Sequence, residues 1–342
     1  MVPRPGHHAP TIEEVARAAG VSRQTVSNAL NAPDRLRPDT LRRVLATVQA
    51  RGYQPNRAAR SLRRRESRLV GLRVDRAEPD RSGPLLDSFL HALVAHSMGS
   101  GYHILLFTAD DPGDEISGFS DLLGTAAVDA FVLTDTHRGD GRLRWLSERG
   151  APFVAFGRPW EEDTPEHPWV DVDGAAGTAL CVDHLVERDH RRIGFIGWST
   201  DSDLGNDRRA GWEAACRRHG VEHEGLVAQC VDLASEGAAG AAFLLDRADP
   251  PTALVCVSDT LALGALSTLD RWGSRPGRDV AVTGFDDSPA ASVVPLGLTS
   301  VRQPLEDVAE AIVNRLDAVI SGDLPDGPGE LLAPSLVVRG ST

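Results

Sequence analysis

Four polar side chains near the amino end are spaced to read a nucleic acid. Arg23, Gln24, Ser27 and Asn28 fall at i, i+1, i+4 and i+5 of the run SRQTVSNAL. In a helix they share one face, and Val26, Ala29 and Leu30 lie on the other. Arginine can present a two-pronged donor to guanine in the major groove, and glutamine or asparagine can pair with adenine there. Catalytic chemistry is not spelled out anywhere. The chain has no G-x-S-x-G nucleophile elbow, no H-E-x-x-H helix and no glycine-rich dinucleotide fingerprint after its first strand. Every basic residue is Arg, so a Walker A phosphate loop with its lysine is excluded. No enzyme activity, cofactor or metal is expected.

The elements that must hold those four residues are short helices. Thr11 followed by Glu14 forms a capping box, and Ile12, Val15, Ala16 and Ala19 make an apolar face behind it. Gly20 ends this helix because its backbone tolerates positive φ. Val21 fills the turn, and Ser22 is an N-cap for a second helix over 22–30. A third helix is predicted from about 38 to 51, with Leu41, Val44, Leu45 and Val48 inside and Gly52 as its stop. Two helices joined by a tight glycine turn, then a third, make a helix-turn-helix, although a polar-faced three-helix bundle shares the pattern.

Charge adds weight to the DNA reading. The net charge of −13 argues against an anionic partner only on average. Residues 1–68 hold fourteen Arg against five acids, a surplus of nine positive charges. The rest holds 22 Arg against 44 acids. A basic head on an acidic body confines phosphate attraction to one end of the chain.

From residue 69 onward the pattern changes to short apolar runs alternating with amphipathic helices. Strands are expected at 69–74, 103–108, 130–134, 153–156, 193–197, 254–257 and 280–284. Helices are expected near 84–99, 174–189, 207–219, 236–248 and 259–272. Such alternation means parallel sheets with crossover helices, and this many strands means two α/β halves facing a cleft. Arg158, Trp160 and Trp198 follow strand ends, where a sugar could stack on an indole. Asp110 and Asp111 of the run ADD, like Asp171 and Asp173, are read as loop and cap residues. No apolar run approaches the ~20 residues of a membrane helix, and the amino end lacks a signal-peptide core, so a cytoplasmic, nucleoid-associated protein is expected. The cysteines, Cys181, Cys216, Cys230 and Cys256, are too scattered for a zinc site and are read as buried free thiols.

Two stretches of the head, TIEEVARAAGVSRQTVSNALN and RGYQPNRAARSL, resemble the lactose/galactose repressor (LacI/GalR) family. The body follows the same family through WVDVDGAAGTALCVDHLVERDHRRIGFIGW, NDRRAGW, VSDTLALGAL and VTGFDDSPAASVVPLGLTSVRQP. The resemblance implies an α/β protein. An all-α helix-turn-helix domain (11–55) follows a tail (1–10), and a hinge helix (56–68) leads to a periplasmic-binding-protein-like sensor with parallel sheets (69–342). One half of the sensor would comprise 69–168 and 303–326, the other 169–302 and 327–342. In the family pattern Arg23, Gln24 and Asn28 read bases, with Ser22, Thr25, Ser27 and Asn31 at the DNA backbone. Asn56, Arg57, Ala59, Leu62 and Arg63 match the hinge, Leu62 being the wedge for the minor groove. In the cleft, Arg208 matches an arginine that clamps ligand hydroxyls, and Asp286 an acid that accepts from them. Asp259 matches the usual Asp, but Ser258 stands where Asn is common. Arg158, Trp160 and Trp198 complete the expected effector set.

The function implied is a homodimeric repressor of sugar uptake or catabolism genes, bound to a pseudo-palindromic operator and released by a small molecule, a sugar. Two other readings compete: a purine-like corepressor, or a solute-binding protein that never meets DNA.

Overall fold

The structure, a computed structural model, describes residues 10–53, 66–74, 84–161, 166–322, 327 and 329–342. The hinge residues Asn56, Arg57, Ala59, Leu62 and Arg63 and the tail up to residue 9 lie outside the described residues. The chain divides into two compact units, Met1–Ser67 and Arg68–Thr342.

In the first unit, α1 (Ile12–Ala19), α2 (Arg23–Asn31) and α3 (Pro38–Arg51) enclose a small core. The capping box forms: Thr11 N donates to Glu14 Oε2 at 2.8 Å and Glu14 N donates to Thr11 Oγ1 at 3.3 Å. Gly20 sits at φ 63° and its N–H returns to the carbonyls of Ala16 and Arg17, closing α1 in a conformation that would strain any side chain. Ser22 Oγ then accepts from Thr25 N at 3.1 Å and starts α2. Val15, Val26 and Val44 are fully buried. Leu45, expected inside, is 43% exposed. The two short helices cover only a narrow stripe of α3, centred on Val44, and Leu45 lies at its edge.

The second unit holds two six-stranded sheets. The first runs β11-β5-β4-β3-β1-β2 and every pairing in it is parallel. Its strands are β1 (Leu69–Val74), β2 (His103–Thr108), β3 (Ala130–Leu133), β4 (Phe153–Phe156), β5 (Trp169–Val172) and β11 (Gly329–Leu332). Alternation along β3 divides its side chains between two cores. Ala130 and Val132 join Phe89 of α4 (Pro84–Gly99) and Ile312 of α12 (Leu305–Ser321). Phe131 and Leu133 join Phe119 of α5 (Pro112–Gly124) and Leu146 of α6 (Gly141–Glu148). Helices on both faces explain why these strands read as continuous apolar runs.

The second sheet runs β12-β10-β9-β8-β6-β7 and is parallel except for β12 (Ser335–Val337) against β10 (Thr299–Arg302). The others are β6 (Ile193–Gly197), β7 (Val227–Gln229), β8 (Ala253–Cys256) and β9 (Ala281–Phe285). Around them pack α7 (Gly174–Glu187), α8 (Asp203–His219), α9 (Ala234–Leu245) and α10 (Asp259–Arg271), while α11 (Pro289–Val293) follows β9. One core spans this half from Cys181 to Val301.

Two expected boundaries between the halves move. Trp169–Val172 pairs with β4 and with β11, so the first half extends to Val172 rather than 168. Gly329–Leu332 likewise belongs to the first sheet, so the last crossing follows Leu332 rather than 327. Both segments are short and carry a charged residue, Asp171 and Glu330, so neither shows a clean apolar run; it is the register between them that makes them strands. All four cysteines are free and buried. Burial pushes the thiols of Cys181 and Cys216 up to about 12 and that of Cys230 up to about 11, which keeps them protonated and inert. Among the described residues no helix is long and apolar enough to cross a membrane.

Candidate functional site

The first candidate surface is the outward face of α2. Arg23, Gln24 and Asn31 are exposed, and Ser27 and Asn28 are half-buried. The amides are ordered by local bonds: Gln24 Nε2 donates to Asn28 Oδ1 at 2.9 Å and Asn31 Nδ2 to the Ser27 carbonyl at 2.8 Å. Ser22 Oγ and Thr25 Oγ1 lie 2.9 Å apart. Arg23 pairs with Glu13 of α1 at 3.0 Å, and both side chains are more than half exposed. An ion pair this exposed is worth under about 1 kcal/mol, so a base edge can displace it readily. The described part of the sequence-predicted set thus shares one helix and its immediate start.

The second site lies where strands of the second sheet end and their helices begin, the usual ligand position in parallel sheets. Arg208, one turn into α8, is 3% exposed. Its Nη1 donates to the Val257 carbonyl at 2.6 Å, its guanidinium centre lies 3.6 Å from the centroid of the Phe285 ring, and the Trp198 ring is 5.4 Å away. The Nε of Arg208 is buried without a protein partner. Asp286 faces it, with Oδ1 3.8 Å from Nη1. Asp286 takes the unusual φ of 108°, held by its own N–H to the Val301 carbonyl at 2.7 Å and by Gln303 Nε2 donating to Oδ1 at 2.8 Å. Burial pushes its carboxyl up to about 7, with Arg208 pulling the other way.

Ser258 and Asp259 stand beside this pair at the start of α10, yet both are committed inside the protein. Asp259 is 3% exposed; its Oδ1 accepts from Ser300 Oγ at 2.6 Å and its Oδ2 from Ser288 N at 2.7 Å. It ties β10 to the loop that carries Asp286. Ser258 Oγ caps Leu261 N at 3.3 Å and bonds Asp232 Oδ1 at 2.5 Å. Trp198 is half-buried on the core of this half, and its indole N–H lacks a partner.

Arg158 and Trp160 belong to the other half. Arg158 Nε donates to Asp171 Oδ2 at 2.6 Å and Nη2 to the Val172 carbonyl at 3.1 Å, while Nη1 reaches Asp207 of α8 at 3.4 Å. Its donors bridge the two halves. Trp160 Nε1 donates to the Thr136 carbonyl at 3.1 Å. Asp173 caps α7 and Asp111 caps α5, the ordinary roles read from the sequence. Phe285, Gln303 and Asp232 were not singled out by sequence. Phe285 and Gln303 lie within GFDD and VRQP, next to residues that were, but nothing local marks Asp232.

Residues 11–56 match the family described as bacterial regulatory proteins, lacI family, and residues 182–342 match the periplasmic binding protein-like domain. The chain is 34% identical to the HTH-type transcriptional regulator CelR of Thermobifida fusca, over 97% of this chain and 98% of that protein.

The chain belongs to the LacI family.

Members of the LacI family are DNA-binding transcriptional regulators and not enzymes. A second LacI-family relative, the HTH-type transcriptional repressor CytR of Escherichia coli K12, is 30% identical over 98% of this chain and 96% of its own length. Among solved structures, a transcriptional regulator CelR–cellobiose complex is 31% identical, covering 97% of this chain and all of that one, with a TM-score of 0.73. The helical head and two parallel-sheet halves described above are those of the LacI family.

Proposed function

We propose that the protein is a cytoplasmic, homodimeric repressor acting at the nucleoid, and that a neutral sugar in its cleft releases it from a pseudo-palindromic operator. The observation that carries the effector half of this reading is the buried, unpartnered Nε of Arg208 beside Asp286. A sugar hydroxyl both accepts and donates, so one hydroxyl pair can satisfy a guanidinium and a carboxylate together. The solved CelR–cellobiose complex supports a β-linked glucoside as the first ligand to try. Trp198, with its free N–H, borders the same space, whereas Arg158 and Trp160 contribute from the opposite half.

On DNA, Arg23, Gln24 and Asn28 read base edges, and Ser22, Thr25, Ser27 and Asn31 contact the phosphate backbone. Asn56, Arg57, Ala59, Leu62 and Arg63 enter the minor groove as the hinge, with Leu62 as the wedge. A homodimer is supported by the edge strands β2 and β7 and by exposed apolar side chains nearby, including Leu106 at 51% and Val231 at 59%. Closing the cleft moves one half against the other and so couples sugar to hinge order, and sugar and operator weaken each other's binding by the same factor.

Fluorescence anisotropy on fragments upstream of the protein's own and neighbouring genes tests this. Binding should weaken steeply with salt, and cellobiose should lower operator affinity at least tenfold. A protein that prefers no fragment over random DNA sinks the reading. Tighter DNA binding with sugar present would reverse its sign to corepression.

A further inference from the structure

We propose that Glu13 of α1 is a specificity-determining residue for DNA: it holds the Arg23 guanidinium for a base edge and keeps it from serving as a general phosphate contact. This rests on the reading of α2 proposed above and adds a residue from outside that helix.

Glu13 and Arg23 sit on different helices, yet Arg23 Nη1 reaches Glu13 Oε1 at 3.0 Å. Glu13 is not needed to cap α1, because Glu14 and Thr11 already exchange both bonds of the capping box. Its carboxylate spans the Gly20 turn instead. Helix α2 begins at Arg23 and has no acid in its own first turn. The free N–H groups and dipole of such an end attract anions. Arg23 alone at that end would suit a phosphate of any sequence. With Glu13 beside it, much of that attraction is cancelled.

Which nitrogen Glu13 takes matters as much. It takes Nη1, whereas Nε and Nη2 of Arg23 make no hydrogen bond among the described residues. Nε and Nη2 form one edge of the guanidinium, and two parallel donors are what guanine O6 and N7 accept. The pair therefore need not break for a guanine to be read. A phosphate is attracted by net charge, which the pair lacks. Guanine is neutral and is recognised by directed donors, which the pair keeps. Both side chains are more than half exposed, so a duplex can reach them. Specificity is a difference between two affinities, and Glu13 lowers the one for random sequence.

Fluorescence anisotropy on the full chain tests the proposal. The probes are an operator that the wild-type chain selects from a randomised duplex library and a random-sequence duplex of equal length. Glu13→Gln should tighten random-sequence binding about fivefold and steepen its salt dependence by roughly 0.9 in slope, the mark of one added phosphate contact. Arg23→Gln identifies the base pair that Arg23 reads, and discrimination there should fall about tenfold in Glu13→Gln. In an Arg23→Gln background, Glu13→Gln should change random-sequence binding by less than about twofold, because the acid acts through that arginine. A full-sized effect in that background makes Glu13 one more surface charge and overturns the proposal. Random-sequence binding by Glu13→Gln that matches wild type overturns it too, as does equal tightening on both probes. Weaker binding to both overturns it as well. A wild-type chain that selects no sequence from the library overturns the reading of α2 and this proposal with it.

Discussion

Arg208 and Asp286 face each other at 3.8 Å, yet the short hydrogen bond of each goes elsewhere: Arg208 to the Val257 carbonyl at 2.6 Å, Asp286 from Gln303 at 2.8 Å. Each is held in place by a neutral group. Their own pairing is loose enough for a ligand to enter between them. Hydrogen bonds to charged groups are worth about 1.5–3 kcal/mol, or roughly 10- to 150-fold in affinity. Arg208→Gln should therefore weaken cellobiose binding by about that factor and leave operator affinity intact. Anisotropy titrations with and without sugar check it; a variant still released normally removes Arg208 from the site.

The raised carboxyl of Asp286 predicts a pH effect of definite sign. The folded protein keeps this proton up to about 7, whereas the unfolded chain releases it near the ordinary carboxylate range. Stability from the protonated form is present at low pH and is lost as pH rises through that window, by up to ~4 kcal/mol. Asp286→Asn removes the dependence. Its melting temperature relative to wild type should rise between pH 5 and pH 8, as read by scanning fluorimetry. A constant difference across that range contradicts the assignment.

Helices α9 and α10 meet backbone to backbone. A Cβ at Gly264 would lie 2.0 Å from the Ala234 carbonyl oxygen, and one at Gly237 would lie 2.3 Å from that of Leu261. The backbone atoms cannot yield as a flexible side chain would. Gly264→Ala should destabilise the protein by about 1–3 kcal/mol, measured by urea unfolding. An unchanged midpoint means that the helices separate freely.

A buried ion network fixes the loop after β3. Arg142 donates to Asp140 at 2.7 and 2.8 Å, to Glu115 at 3.0 and 3.1 Å, and to the carbonyls of Thr134 and Asp135. Arg142 is 3% exposed and Glu115 is 1% exposed. Removing one member leaves buried charge unpaired, at about 3–5 kcal/mol. Arg142→Ala should lower the melting temperature by several degrees; a neutral result would mean that water fills the gap.

On the DNA side, Gln24→Ala should cost about 1–3 kcal/mol at one base position and relax specificity there. Leu62→Ala should weaken operator binding without touching cellobiose affinity. Competition assays with operator variants separate the two effects, because loss of a base reader is sequence-specific and loss of the wedge is general.

The sequence by itself determined the local elements of this protein. Thr11 with Glu14, Gly20, Ser22, Pro38 and Gly52 set the ends of the three head helices, because caps and left-handed glycines act within one turn. Apolar runs such as Leu69–Val74 and Ile193–Gly197 stood out because strands covered on both faces need no polar alternation. Tertiary structure alone decided the rest. Trp169–Val172 and Gly329–Leu332 are strands of the first sheet only through pairing across distant parts of the chain. Which oxygen receives the proton of Ser258 depends on β7 and β8 flanking β6, which brings Asp232 to it. A cap is made by neighbours in sequence, whereas a cleft is made by loops that sheet order brings together, and no local pattern records that order.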